Sequence, residues 1–265
     1  MRATFGFIGI GNMGAALARA AAKADPADTI FLTNKTMAKA EALAAELGCK
    51  AVSTAEAAAC TYVFLGVKPQ MMADLLQEIA PILAARTDRF ILVTMAAGLT
   101  MADIQAMAGG DYPVIRIMPN TPVAIGEGVI LYDSTAVTED ELAVFCSTMT
   151  HGGLLDHLPE HLIDAGSAVA GCGPAFADLF AEALADGGVA NGLPRAKALL
   201  YAAQMLKGAA ALILESGQHP AQLKDAVCSP GGSTIAGVRA LEQRAFRAAV
   251  MEAVDAAVKR TKELR

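Results

Sequence analysis

The sequence predicts a two-part α/β chain: a doubly wound sheet covered by helices over residues 1–158, then an all-helical segment over 159–265. Three observations lead there. Short β-branched or aromatic runs alternate with longer Ala/Leu-rich stretches from residue 3 to about 155. A glycine-rich turn links the first strand to the first helix. Strand signals stop after about residue 158, and long helical patterns take over.

Strands are expected near residues 4–8, 29–33, 62–66, 90–94, 113–117 and 127–132. An Ala-rich helix over 14–23 joins the first two, and a second over 36–47 ends at Gly48, the usual C-terminal residue. Residues 69–83 and 101–107 supply further crossovers. The C-terminal part has helical patterns over 175–186, 194–215 and 243–262, with Pro194 where proline favours a helix start. The second of these is apolar nearly all round, from Ala198, Leu199 and Leu200 through Met205 and Leu206 to Leu212, Ile213 and Leu214. So much apolar surface needs a cover, and a second copy of the chain is the expected one. Packing against the chain's own sheet is the alternative.

Composition narrows the class. With 21 basic and 27 acidic residues the net charge is −6, which gives no electrostatic support for binding nucleic acid. At 54% apolar and 18% charged the chain is no solvated coil. Mean hydropathy is +0.42, yet the longest stretch free of Asp, Glu, Lys and Arg is residues 3–18, short of the roughly 20 residues a spanning helix needs. A soluble protein without a membrane partner is expected. Gly6, Gly9, Gly11 and Gly14 also make that stretch a poor secretory signal. The odd, scattered cysteines, Cys49, Cys60, Cys146, Cys172 and Cys228, read as reduced, mostly buried thiols of a cytoplasmic protein. His157 and His161 are split by Pro159 with no thiol or acidic cluster joining them, so no metal site is expected.

Gly9-Ile10-Gly11-Asn12-Met13-Gly14 is a G-x-G-x-x-G string that follows a strand and opens a helix, the context of a Rossmann-type dinucleotide site. Gly9 permits the tight turn, Gly11 lets a pyrophosphate approach the backbone, and Gly14 lets helix and strand pack closely. An NAD site would place a carboxylate at the end of the second strand. Here Asn34-Lys35-Thr36 supplies an amide, a cation and a hydroxyl that could donate to a 2′-phosphate. NADPH is the expected cofactor, with NADH possible. Val67-Lys68-Pro69 follows the strand ending at Leu65, at the ligand-binding edge of such sheets, and Pro69 fixes the turn. Asn120, framed by Pro119 and Pro122, is expected to present an amide toward the nicotinamide.

The other dense cluster is Ser229-Pro230-Gly231-Gly232-Ser233-Thr234, followed by Ile235, Val238 and Leu241 at helical spacing. Hydroxyls and glycine amides at a helix N-terminus would cradle a small anion such as a carboxylate. Three contacts at roughly 1.5 kcal/mol each sum to about 4.5 kcal/mol, enough for a millimolar-range ligand before binding costs. A plain helix cap after a loop is the alternative.

Together these residues resemble the pyrroline-5-carboxylate reductases, which form proline from its cyclic imine. The resemblance runs from Gly6–Gly14 through Val67–Pro69, Met118–Pro122, Gly173–Phe176, Glu182–Val189 and Gly192–Arg195 to the most specific stretch, His219–Thr234. It implies a cytoplasmic enzyme of proline biosynthesis, built as a homodimer or ring of dimers, with its substrate site at the dimer interface. It implies that Ser229, Gly231, Gly232 and Ser233 hold the substrate carboxylate, that Thr234 bonds the ring nitrogen, and that Asn120 borders the nicotinamide. Cys172, Phe176 and Gly66 stand where the family usually has Ser, Tyr and Ala. The first two exchanges remove polar groups and preserve shape.

Two rivals are weaker. A 3-hydroxyacid dehydrogenase opens with a similar glycine string, but it needs a lysine and an asparagine that residues 165–178 lack. A non-catalytic NADP(H)-binding module has no need for the Ser229–Thr234 cradle.

Overall fold

Strands buried on both faces read as unbroken apolar runs, and the first strand is one of these. The computed structural model describes residues 2–263 and begins with β1 (Phe5–Ile8), α1 (Asn12–Ala24), β2 (Ile30–Thr33), α2 (Met37–Leu47), β3 (Lys50–Ala51), α3 (Thr54–Ala58), β4 (Tyr62–Leu65) and α4 (Met72–Ala85). It continues with β5 (Ile91–Thr94), α5 (Met101–Ala108), β6 (Val114–Pro119), β7 (Gly128–Thr135), α6 (Glu139–Met149), β8 (Gly153–His157) and α7 (Glu160–Ala170). Then come α8 (Gly173–Ala190), α9 (Arg195–Ser216), α10 (Pro220–Ala226), α11 (Ser233–Gln243) and α12 (Phe246–Lys262).

The eight strands form one sheet in the order β3-β2-β1-β4-β5-β6-β7-β8. All pairs are parallel except β6 with β7. Only residues 120–127 separate those two strands, too short for a crossover helix, so the chain turns straight back. One face of the sheet is packed by α1, α2 and α6 around Phe7, Leu17, Phe64, Phe145 and Met149. The other is packed by α4 and α5 around Leu76, Ile79, Leu92 and Ile104. Stacked Phe7 and Phe64 rings, with centroids 4.3 Å apart, tie β1 to β4.

Short elements escaped the sequence reading. β3 has two residues and α3 five, below the length at which periodicity shows. β8 is an edge strand with Leu154, Asp156 and His157 exposed, so its pattern is barely apolar. α6 and α7 were also passed over, although Thr138-x-x-Glu141 forms a capping box at the start of α6. The expected thiol burial is corrected too: Cys60 alone is buried and the other four are half-buried. Burial raises the Cys60 thiol to about 11.

Packing divides the chain after Cys172. Residues up to Cys172, with those from Ala257 on, form one compact unit, and Gly173–Ala256 form a second. α7 therefore lies with the sheet, its Ile163 buried against Met118 and Leu131.

Within the second unit α9 packs on α8 through Ala198 and Ala202, while Leu200, Met205, Leu212 and Leu214 stay exposed, Leu214 by 81%. Residues 160–190 and 195–216 are long and apolar enough to cross a membrane by length and composition, a property the charge-free-run criterion misses.

Candidate active site

The strand order reverses beside β1, where β2 lies on one side and β4 on the other, and the crevice beyond the strands' carboxyl ends is where such sheets bind ligands. A cleft of about 680 Å³ opens there. It collects Gly9 and Gly11 after β1, Asn34 and Lys35 after β2, and Val67 and Lys68 after β4.

Backbone geometry explains the glycines. Gly9 has φ +93° and its N–H donates to the Thr33 carbonyl at 2.9 Å. A Cβ on Gly14 would lie 2.2 Å from the Gly9 oxygen, and a Cβ on Gly66 would meet the same oxygen at 2.2 Å. Three backbones thus converge with no room for a methyl. Gly11 differs: a Cβ there would meet no atom within 4 Å, so the space over it is free. Gly11 is also the N-cap of α1 and gives no side-chain bond to that helix. The free N–H groups of the first turn and the open space above them suit a pyrophosphate.

The remaining residues singled out in this region take several roles. Ile10 is buried and Met13 packs on the core, while Asn12, at the start of α1, is exposed. Asn34 braces the turn: its Oδ1 accepts from the Ile10 N–H at 3.2 Å and its Nδ2 donates to the Thr36 carbonyl at 3.3 Å. The Asn34 amide nitrogen carries a second N–H beyond its bond to Thr36, and Asn34 and exposed Lys35 both line the cleft wall, with exposed Thr36 next to them. Lys68 is exposed, and Pro69 opens the single helical turn that leads into α4.

Asn120 lies at the end of β6 and is buried. Its Oδ1 accepts from the Val129 N–H and its Nδ2 donates to the Ala170 carbonyl, both at 2.9 Å. Both ends of an amide expected to face the nicotinamide are thus engaged by the protein. Asn120 holds its loop in place.

Sequence reasoning missed the far wall of the cleft, Ser53, Thr54, Met71, Asp74, Leu75 and Glu78. One signal was available there: Ser53-x-x-Glu56 is a capping box, with Ser53 Oγ accepting from the Glu56 N–H.

In the second unit, Gly231 (φ +68°) turns the chain after Pro230, and the Gly232 N–H donates to the Ser229 carbonyl at 3.0 Å. Gly232 caps α11 without a side-chain bond to that helix. Ser233 and Thr234 open the helix, exposed, with the unshared N–H groups of its first turn. Ser229, Gly231, Gly232, Ser233 and Thr234 are thus brought together at one helix N-terminus.

Comparison with known proteins meets this geometry. Residues 160–264 match the family model described as pyrroline-5-carboxylate reductase dimerisation, and residues 4–98 match NADP oxidoreductase coenzyme F420-dependent. The pyrroline-5-carboxylate reductase of Pisum sativum is 39% identical over 98% of this chain and 96% of its own length. The chain belongs to the pyrroline-5-carboxylate reductase family. The Escherichia coli K12 member is 37% identical over 100% of this chain and 99% of its own. A crystal structure of the Plasmodium falciparum pyrroline carboxylate reductase with NADP bound superposes with a TM-score of 0.88 at 31% identity, covering 99% of this chain and 98% of that one. The family relation explains the bare face of α9: it lies within the region that the dimerisation model covers. The chain is an oxidoreductase that associates with itself.

Proposed function

We infer that this protein reduces the cyclic imine 1-pyrroline-5-carboxylate to L-proline, the last step of proline biosynthesis, with NADPH preferred to NADH. The observation that carries the reading is that one chain of this family holds both an open, uncapped glycine-loop helix and a second uncapped helix N-terminus at Ser229–Thr234. The first suits a dinucleotide and the second suits a small carboxylate.

The residues of the glycine-loop cleft would hold the cofactor, which when bound supplies a hydride. Lys35 would pair with its 2′-phosphate, Val67, Lys68 and Pro69 would border its ribose, and the N–H groups after Gly11 would take the pyrophosphate. On the substrate side, the amides of Ser233 and Thr234 with the Ser229 hydroxyl would hold the carboxylate. Thr234 would hydrogen-bond the ring nitrogen and turn the adjacent carbon toward the donor. An imine protonated on nitrogen is already electrophilic at that carbon, so alignment is the protein's main contribution and no strong acid is required. Residues 1–158 would bind the cofactor and residues 159–265 would form the dimeric substrate site, a functional division that differs from the packing break after Cys172 by counting α7 with the second part. A homodimer, alone or in a ring, and a cytoplasmic setting complete the proposal.

The test follows NADPH consumption by absorbance with 1-pyrroline-5-carboxylate as substrate, and separately NADP⁺ reduction with a 3-hydroxyacid. Turnover of the imine alone is expected. Turnover of the hydroxyacid alone would overturn the reading.

A further inference from the structure

The side chain least explained by cofactor or substrate is Arg116. It lies in the middle of β6, is fully buried, and is the largest side chain to be so. Its Nη2 donates to Asp164 Oδ1 at 2.7 Å and its Nη1 to Glu160 Oε1 at 3.4 Å, while Nε finds no partner among the described residues. Both acceptors come from α7, one turn apart and so on one face of it. A buried guanidinium is tolerated only when paired, and here the pairing exists only while α7 lies on the sheet in this register.

A buried ion pair with an orphaned nitrogen is poorly built for stability, because apolar groups of similar shape would serve at least as well. What it does well is fix one element against another. α7 is held in two further places. At its start the Glu160 N–H donates to Asp133 Oδ2 at 2.6 Å, and Glu160 Oε1 accepts from the Met101 N–H at 2.7 Å. At its end the Ala170 carbonyl accepts from Asn120 Nδ2. Arg116 and Met118 share one face of β6, and Asn120, the residue just past its end, continues the same alternation. Arg116 meets the middle of α7, Met118 packs on Ile163, and Asn120 meets the last carbonyl. The residues from Asn120 to Gly126 thus leave the sheet from a strand locked along its length, at the carboxyl edge where this fold binds ligands.

We propose that Arg116 and Asp164 are positioning residues for hydride transfer: by locking α7 to β6 they fix the loop carrying Asn120, and they touch neither substrate nor cofactor. The inference rests on the imine-reductase reading. Transfer of a hydride needs the reacting atoms near van der Waals contact, so a loop shift of about 1 Å is enough to lower turnover about a hundredfold.

The experiment compares the parent with Arg116→Met/Asp164→Leu, which replaces the pair by apolar groups, and with Arg116→Lys, which keeps the charge and loses the fork. Four quantities are read: melting temperature, NADPH Kd by fluorescence titration, kcat and KM with the imine, and hydrogen exchange over residues 118–129. The double variant is expected to fold and to bind NADPH within about twofold of the parent. Its kcat should fall about tenfold or more, with exchange over 118–129 faster than in the parent. Arg116→Lys should recover part of kcat. A folded double variant with parental kcat would overturn the proposal. If the double variant does not fold, Arg116→Lys decides: parental kcat overturns the proposal, and reduced kcat at unchanged NADPH Kd supports it. If the parent itself fails to reduce the imine, the functional reading falls. The exchange data then still judge the lock, and unchanged exchange over 118–129 would refute it.

Discussion

Lys35 stands on the cleft wall with its ammonium exposed, at the position where a carboxylate would select NADH. Lys35→Ala is expected to raise the Kd for NADPH about tenfold, equivalent to about 1.4 kcal/mol for one charge-assisted contact, and to leave that for NADH unchanged. Titration with both cofactors checks this, and an equal loss for both would show that Lys35 does not read the extra phosphate. Thr234 is exposed at the start of α11, and Thr234→Ala is expected to lower kcat by about tenfold or more, read from steady-state kinetics with the imine. Unchanged kcat would remove its hydroxyl from the reaction. The identity of such residues is legible in a sequence, but their partners are not. Asn34 and Asn120 both read as amides free to meet a ligand, and both bond backbone groups, Ile10 and the nearby Thr36 for one, Val129 and Ala170 for the other. Apart from the local Asn34–Thr36 contact, no local spacing encodes those pairings.

Elements show the same division. The turn between β1 and α1 is legible because three glycines mark three separate backbone needs, and Gly9 combines a positive φ with a close backbone contact. Gly9→Ala puts a Cβ 2.8 Å from the Gly66 backbone at a positive φ. It is expected to lower the melting temperature and to weaken NADPH binding by about tenfold or more, measured by thermal denaturation and titration. At the start of α6, Arg89 bonds Glu141 through Nε and Nη2 at 2.6 and 2.9 Å. Those bonds, helped by the Thr138 amide, hold the Glu141 carboxyl near 2, below its ordinary 4.5. A depressed folded-state pKa contributes stability that is complete above about 4.5 and is lost as the pH falls toward 2. Arg89→Ala should therefore destabilise the protein at neutral pH by about 1 kcal/mol, the guanidinium being half exposed. The gap to the parent should close between about pH 4.5 and 2 in denaturant titrations. A gap that stays constant over that range would rule out the pair as its source. β3, β8 and α7 were not legible, because short or exposed elements owe their form to the neighbours they pair with, and α7 is placed by contacts to Arg116, Asp133 and Asn120 on neighbouring segments.

For the whole molecule the decisive surface is the bare side of α9. Leu200 is 57% exposed in the single chain, and a second copy is the cover that the family relation supplies. Leu200→Asp is expected to shift the protein to monomer in sedimentation and to abolish imine reduction, since a charge in a buried interface is left without a partner. A fully dimeric variant would place Leu200 outside the contact. The sequence by itself determined the two-part plan, the glycine turn, the gathering of residues 229–234 at a helix N-terminus and the need of α9 for a cover. Each of these is written in the order and type of neighbouring residues. Only the tertiary structure decided which groups the Asn120 amide bonds and that α7 belongs with the sheet. Those outcomes depend on hydrogen bonds and ion pairs between residues far apart in the chain. Burial makes such contacts obligatory only after the strands have come together.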